Sequence, residues 1–236
     1  TSTDALWLNR KGRVLAHTVV IKESDGSFLL LAPHLAAEAL IAVVTANVIA
    51  DDVVATDESA SRLRWMAWGE PPALAGARVF ATQRYGVPAW DVLTPASVAA
   101  PTNLTDLAKL EALRIHSGVP AVPADCGANE FPQECGLAPW VSYTKGCYLG
   151  QEVMARIQSM GSLRRILRRV ESTDGTPLVA GSELSVAGKV VVKVRSAAGP
   201  LGLALVNLDQ PVGTVCAAAS AGVVLGVPAA LPFAKA

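Results

Sequence analysis

From Gln210 to Ala234 the chain runs 25 residues without a charged side chain, longer than the roughly 20 apolar residues that cross a bilayer. Pro211, Pro228 and Pro232 interrupt it, as do Gly213, Gly222 and Gly226. A membrane helix is not punctuated so often. A second apolar run, Ala36 to Ala50, contains Glu38 and Asn47 and stops at Asp51 and Asp52, short of a span. No membrane partner is therefore expected, although mean hydropathy is +0.38 and charged residues make up only 17% of the chain against about 25% in typical soluble domains.

A length of 236 residues suits one large or two modest domains. Lys+Arg and Asp+Glu both number 20, so bulk electrostatics gives no pull on polyanions and no nucleic-acid partner is expected. Four cysteines and no recognisable secretion signal point to a reducing, cytoplasmic setting. The first residue is Thr1, which reads as a processed or cropped chain.

Arg13 to Ile21 and Phe28 to Leu31 read as a hairpin whose turn is Ser24-Asp25-Gly26-Ser27. Leu35 to Val44 reads as a helix under that sheet, and Val48 to Ala55 as a short return strand. Arg78 to Thr82 is a further strand, and Tyr85 to Leu93 starts as a loop and ends extended. Asn103 to Ile115 predicts a helix with Leu104, Leu107, Leu110 and Ala112 on its apolar face and Thr102 or Asn103 as its cap. Pro120 to Pro139 makes a long structured loop of the kind that more often carries function. Beyond Gly161 come short strand-like runs, Leu163 to Val170, Glu183 to Val186, Val190 to Arg195, Gly202 to Val206 and Val223 to Val227. They predict a small barrel or sandwich, with a boundary near Ser159 to Leu163.

The densest chemical signal is Lys145-Gly146-Cys147-Tyr148-Leu149-Gly150-Gln151-Glu152. Its glycines suit a tight turn, and Gln151 and Glu152 begin a helix in which Glu152 and Arg156 form an i,i+4 pair. Cys147 beside Lys145 and a helix start is either an activated thiol or a small buried hydrophobe. Cys126, Cys135 and Cys147 lack metal-site spacing, so no metal is expected. His17, His34 and His116 are scattered and read as structural. Arg164, Arg165, Arg168 and Arg169 form either a solvated face or an anion patch. Serine-hydrolase, P-loop and dinucleotide motifs do not occur.

Three blocks together resemble the YgfZ-type tetrahydrofolate-binding proteins, relatives of the aminomethyltransferase (T-protein) of glycine cleavage. They are Lys145 to Glu152, Pro132-Gln133-Glu134-Cys135-Gly136-Leu137, and Ala112 to Pro120. Leu8 to Val14 looks like that family's early strand entry and Asp51-Asp52-Val53 like a later strand. The resemblance implies an α+β fold: an aminomethyltransferase-like folate-binding body of mixed sheets and helices over residues 1–161, and a C-terminal small β-barrel over 162–236. In the family a longer stretch precedes Leu8-Asn9 and helps line the folate cavity. Without it, the first subdomain has an uncovered sheet edge and an incomplete pocket. His116 stands where the family often has an acid.

The function implied is tetrahydrofolate binding in support of iron-sulfur cluster assembly or repair, with iron-sulfur proteins or their assembly machinery as partners. Cys147 is then the essential thiol and Lys145 tunes it. Asp91, Trp90, Glu134, Tyr148, Gln151, Glu152 and Arg156 are the folate-site candidates. Among them a buried Asp91 or Glu134 reads the pterin amide edge, Tyr148 or Trp90 packs on its ring, and Arg156 pairs with the glutamate tail. The alternatives are a folate-dependent one-carbon transferase and a non-catalytic interaction module.

Overall fold

The computed structural model describes residues 2–99, 101, 104–217 and 222–228. The hairpin is strands β2 (Val14–Lys22) and β3 (Phe28–Leu31), and β1 (Ser2–Leu8) pairs antiparallel on the other side of β2. Asp25 accepts from the Ser27 backbone N–H (2.9 Å) and hydroxyl (2.7 Å), and Gly26 takes φ +91°, so the turn chemistry is local. Helix α1 (Ala37–Thr45) follows and contacts β2.

A second antiparallel sheet has the order β4-β6-β5, from Arg62–Trp68, Ala89–Pro95 and Arg78–Thr82 respectively. The strand expected over Val48 to Ala55 does not form. Ile49 is 95% and Val54 85% exposed, and among the described residues that segment has no ladder partner. β-branched composition makes no strand without a surface to pair and pack against.

Helix α2 (Leu107–His116) starts later than expected, capped by Asp106, whose carboxylate accepts from Ala108 N–H at 3.0 Å. The proposed caps Thr102 and Asn103 lie outside the described residues. Its expected apolar face is also displaced: Leu104 and Leu107 are exposed, and Arg114 and Ile115 are the buried residues. The long loop after it carries two 3-10 turns, Pro132–Cys135 and Ala138–Trp140, and leads to α3 (Gln151–Met160).

The last region is a closed barrel of six strands in the order β10-β7-β12-β11-β8-β9. In chain order these are β7 (Arg165–Ser172), β8 (Glu183–Val186), β9 (Lys189–Ala198), β10 (Leu201–Asn207), β11 (Val215–Ala217) and β12 (Gly222–Pro228). The uncharged stretch that begins at Gln210 thus supplies two barrel strands. Gly226 is needed where β12 crosses β7, because a Cβ there would sit 3.0 Å from the Arg169 carbonyl oxygen. Among the described residues no helix is long and apolar enough to cross a membrane.

The expected boundary falls in the α3–β7 connection, yet one core crosses it. Val14, Ile115, Val122, Cys126, Cys135 and Leu137 pack with barrel residues Leu167, Leu203 and Leu205. Arg165 and Arg169 of β7 serve this junction and Arg168 braces the barrel itself, rather than the three forming a solvated face or an open anion patch. Arg165 donates to Glu134 (3.0 Å) and to the Asn129 carbonyl (2.8 Å), Arg168 to the Gln210 carbonyl (2.6 Å), and Arg169 to the His116 carbonyl (3.0 Å).

Arg114 fixes α2 in place. Its side chain is 0% exposed and donates to Asp125, also 0% exposed, at 2.7 Å, as well as to Glu111, the Val119 carbonyl and Ser196 of β9. Removing one partner of a buried pair leaves the other charge uncompensated, so Arg114→Met is expected to lower unfolding free energy by about 3–5 kcal/mol. Urea denaturation of the variant against the parent chain checks this, and an unchanged midpoint would contradict the anchoring role.

Candidate functional site

A cavity of about 310 Å³ opens between the first sheet, the second sheet and the long loop. β1 and β2 supply Asp4 and His17, the second sheet Phe80 and Asp91, the turn between β5 and β6 Arg84, and the long loop Trp140. His17 is 5% exposed and is held from two sides: its Nε2 lies 2.8 Å from Asp4 Oδ1, and its ring stacks on Trp140 at 4.1 Å between centroids.

Asp91 sits in the central strand β6 and is 3% exposed. Arg64 donates to its Oδ1 through Nε (3.0 Å) and Nη2 (2.8 Å), and Arg84 donates to its Oδ2 through Nη2 (2.7 Å). Burial pushes the Asp91 carboxyl above the usual carboxylate range, and Arg64 pulls against it. Two cavity-lining side chains keep buried nitrogens that have no partner among the described residues, Arg84 Nη1 and His34 Nε2. Burial lowers His34 to about 4, with Arg114 acting in the same direction, so its imidazole is neutral at pH 7.

Asp91 and Trp90 were candidates for one wall, but successive strand residues point to opposite faces. Asp91 pairs with Met66 and Phe80 on one face, and Trp90 with Ala67 and Ala81 on the other. Trp90 instead donates its indole N–H to the Gly69 carbonyl at 2.9 Å. The aromatic walls of the cavity are Phe80 and Trp140. Glu134 does not line the cavity either. It accepts from the Phe131 N–H (2.8 Å), Arg13 (3.2 Å) and Arg165 (3.0 Å), so its oxygens hold the first 3-10 turn between β2 and the barrel.

The thiol block forms a separate surface feature. Cys147 is exposed, which removes the buried-hydrophobe reading. The Lys145 ammonium lies 4.9 Å from the centre of the Tyr148 ring. Tyr148 is half-buried, and its hydroxyl has no partner among the described residues. The Gln151 N–H donates to the Tyr148 carbonyl at 3.2 Å as α3 begins. Glu152 and Arg156 make the expected i,i+4 pair at 2.9 Å, both on the surface.

Gly150, with φ +82°, caps α3 and lies against the Asn9–Gly12 turn, where an added Cβ would stand 2.7 Å from the Asn9 carbonyl oxygen. Gly12, at φ +70°, faces Met154 of α3 equally closely. Two blocks far apart in sequence are thereby locked face to face. None of Lys145, Cys147, Tyr148, Gln151, Glu152 or Arg156 lines the cavity. Among the described residues no group of three potential ligands could hold a metal ion.

No protein-family model matches the chain. The human mitochondrial iron-sulfur cluster assembly factor IBA57 is 35% identical over 154 residues, covering 61% of this chain and 43% of that protein. The tRNA-modifying protein YgfZ of Edwardsiella ictaluri is 29% identical over 224 residues, covering 87% and 63%. The crystal structure of glycine cleavage system aminomethyltransferase T from Bartonella henselae superposes with a TM-score of 0.78 at 15% identity, over 96% of this chain and 75% of that one. In sequence the chain is similar to these IBA57 and YgfZ proteins, and in fold to the aminomethyltransferase. Its fold is aminomethyltransferase-like, with the closed barrel at its C-terminal end. The chain spans 43% and 63% of the lengths of these two curated relatives.

Sequence reasoning missed Arg64, Arg84, His17, His34 and Trp140 as site residues, because no local motif marks them and only the folded chain assembles them. The neutral state of His34 has a measurable consequence. The unfolded chain takes up a proton near pH 6.5 and the folded one only near pH 4, so stability falls with acidification between those values. His34→Gln is expected to flatten that limb, by up to about 3 kcal/mol at its acid end, in urea melts recorded across the range.

Proposed function

We propose that the cavity holds a reduced folate and that the protein supports iron-sulfur cluster assembly or repair, with Cys147 as the essential thiol. The observation that carries the ligand reading is the polar set at the cavity: Asp91 clamped by two arginines, beside buried Arg84 and His34 nitrogens that lack partners. At about 310 Å³ the space lies at the lower end of small-molecule pockets, roughly 300–1,000 Å³, which suits the bicyclic head with the tail outside.

A reduced pterin fits this donor set. Asp91 accepts from its N–H groups, Arg84 donates to its ring oxygen, and Phe80 and Trp140 flank it. Reduced folate supplies, when bound, a carrier for one-carbon units. The protein's own part is to orient the head, exclude water from it and oppose the burial cost of the Asp91 carboxylate through Arg64 and Arg84.

The cluster-assembly role is supported by the name of the human relative and by the exposure of Cys147. An exposed thiol in the segment that leads into α3 meets a partner protein or its cluster without any opening of the fold. Direct tRNA binding lacks an electrostatic footprint, since net charge is zero and Arg165, Arg168 and Arg169 bond internally. The fold likeness also fits a one-carbon transferase, and formation of methylenetetrahydrofolate with a lipoyl carrier protein would favour that reading instead.

Titration with tetrahydrofolate by calorimetry is expected to show saturable binding and a raised melting temperature. No heat and no thermal shift would refute the ligand reading. Cys147→Ala is expected to keep its fold and melting temperature while failing to restore a cluster-dependent enzyme in cells lacking their own relative. Full restoration would remove the thiol from the mechanism.

A further inference from the structure

We infer that a second cavity, outside the barrel and beneath the end of α2, binds a free apolar α-amino acid as its zwitterion. Arg169 and Glu171 of β7 line it, with Ile115 of α2, Leu201 of β10, and Val224 and Gly226 of β12. It shares no lining residue with the cavity between the two sheets. Its volume of about 220 Å³ lies below the roughly 300–1,000 Å³ of drug-sized pockets, so its occupant is a molecule of few atoms. Val170 packs into the barrel core, so its strand neighbours Arg169 and Glu171 both point outward. Two steps of strand set them about 6.6 Å apart along β7.

Arg169 is held by α2, its Nη1 donating to the His116 carbonyl at 3.0 Å. That bond fixes the guanidinium over the strand and leaves the other donors of its fork for a ligand. Glu171 is exposed, and its cross-strand neighbours are Leu201 and Val224, so neither adjoining strand sets a cation opposite it. A fixed cation and an anion with apolar neighbours thus stand on one face, a short step apart. An α-amino acid carries a carboxylate and an ammonium on one carbon and answers both, the carboxylate on Arg169 and the ammonium on Glu171. A simple anion or a simple cation answers only one of them. The side chain of the amino acid then meets Ile115, which is 1% exposed, with Leu201 and Val224. Gly226 leaves that space open beside Arg169, since an added Cβ would stand 3.5 Å from the arginine's own Cβ.

The test is calorimetric titration of the whole chain with leucine, glycine, N-acetylleucine and leucinamide. Leucine is expected to bind saturably, with Kd below about 1 mM. Glycine has no side chain to bury and is expected to bind at least about 10-fold more weakly. Each capped form has lost one charged hydrogen bond and is expected to weaken by about 10-fold or more. Glu171→Gln changes an exposed residue, and is expected to weaken leucine by about 10-fold while leaving N-acetylleucine as it was. Absence of saturation by leucine would overturn the proposal. Equal binding of leucine and N-acetylleucine would reduce the cavity to an anion site, and equal binding of leucine and leucinamide to a cation site; either overturns the zwitterion. Unchanged leucine affinity in a Glu171→Gln variant with the parent's melting curve would overturn the assignment to this cavity. The proposal does not rest on the folate reading, which the tetrahydrofolate titration decides separately.

Discussion

The structure depends on a charge buried where hydrocarbon is expected. Arg114, wholly enclosed, joins α2 to the following loop through Asp125 and the Val119 carbonyl, and to the barrel through Ser196. The loop from α2 to α3 contains no strand and only two 3-10 turns, so most of its backbone lacks a ladder to hold it. Polar anchors take that part. A second network does the same further along. Glu130 receives Arg165 and Arg195, Glu134 receives Arg13 and Arg165, and the loop is thereby tied to β2, β7 and β9. Buried pairs are weak contributors to net stability but severe when broken, so they fix one arrangement of the loop. That arrangement sets Pro120 and Trp140 against the cavity.

The proposed ligand site and the proposed thiol site are distinct in character. The cavity lies between two sheets and the long loop and is fitted with buried charges, which suits reading a small molecule. The Cys147 turn is exposed, which suits meeting a macromolecule. The link between them is short in sequence: Trp140 stacks on His17 at the cavity, and Lys145 follows five residues later. Close approach of Gly150 to the Asn9–Gly12 turn pins the other end of this segment to the same hairpin that carries His17. Both functional regions thus take their positions from β2 and its preceding turn.

Local chemistry made several elements legible. The Asp25-Gly26 turn announced the hairpin, the glycine-rich start of α3 announced a helix, and alternating short runs announced the barrel strands. The misses share one cause, since each depended on partners distant in sequence. β1 and β4 mix polar and apolar residues and become strands because β2 and β6 lie beside them. Val48 to Ala55 has strand composition and no neighbour. The core face of α2 was misplaced because Arg114 reaches Asp125 and Ser196, which its own helix does not reveal. Asp91 was legible as a candidate acid, but its arginines were not.

Charge at the cavity wall explains why that carboxylate persists there. An isolated buried Asp91 would shed its charge by taking a proton. Arg64 and Arg84 both bond it, and with Asp4 at the same cavity the two arginines face two carboxylates. His34 stays neutral, and Asp4 is engaged with His17. Arg84, one of the two arginines that oppose the burial cost of Asp91, also lines the cavity, so supporting the acid and shaping the proposed ligand site are one arrangement.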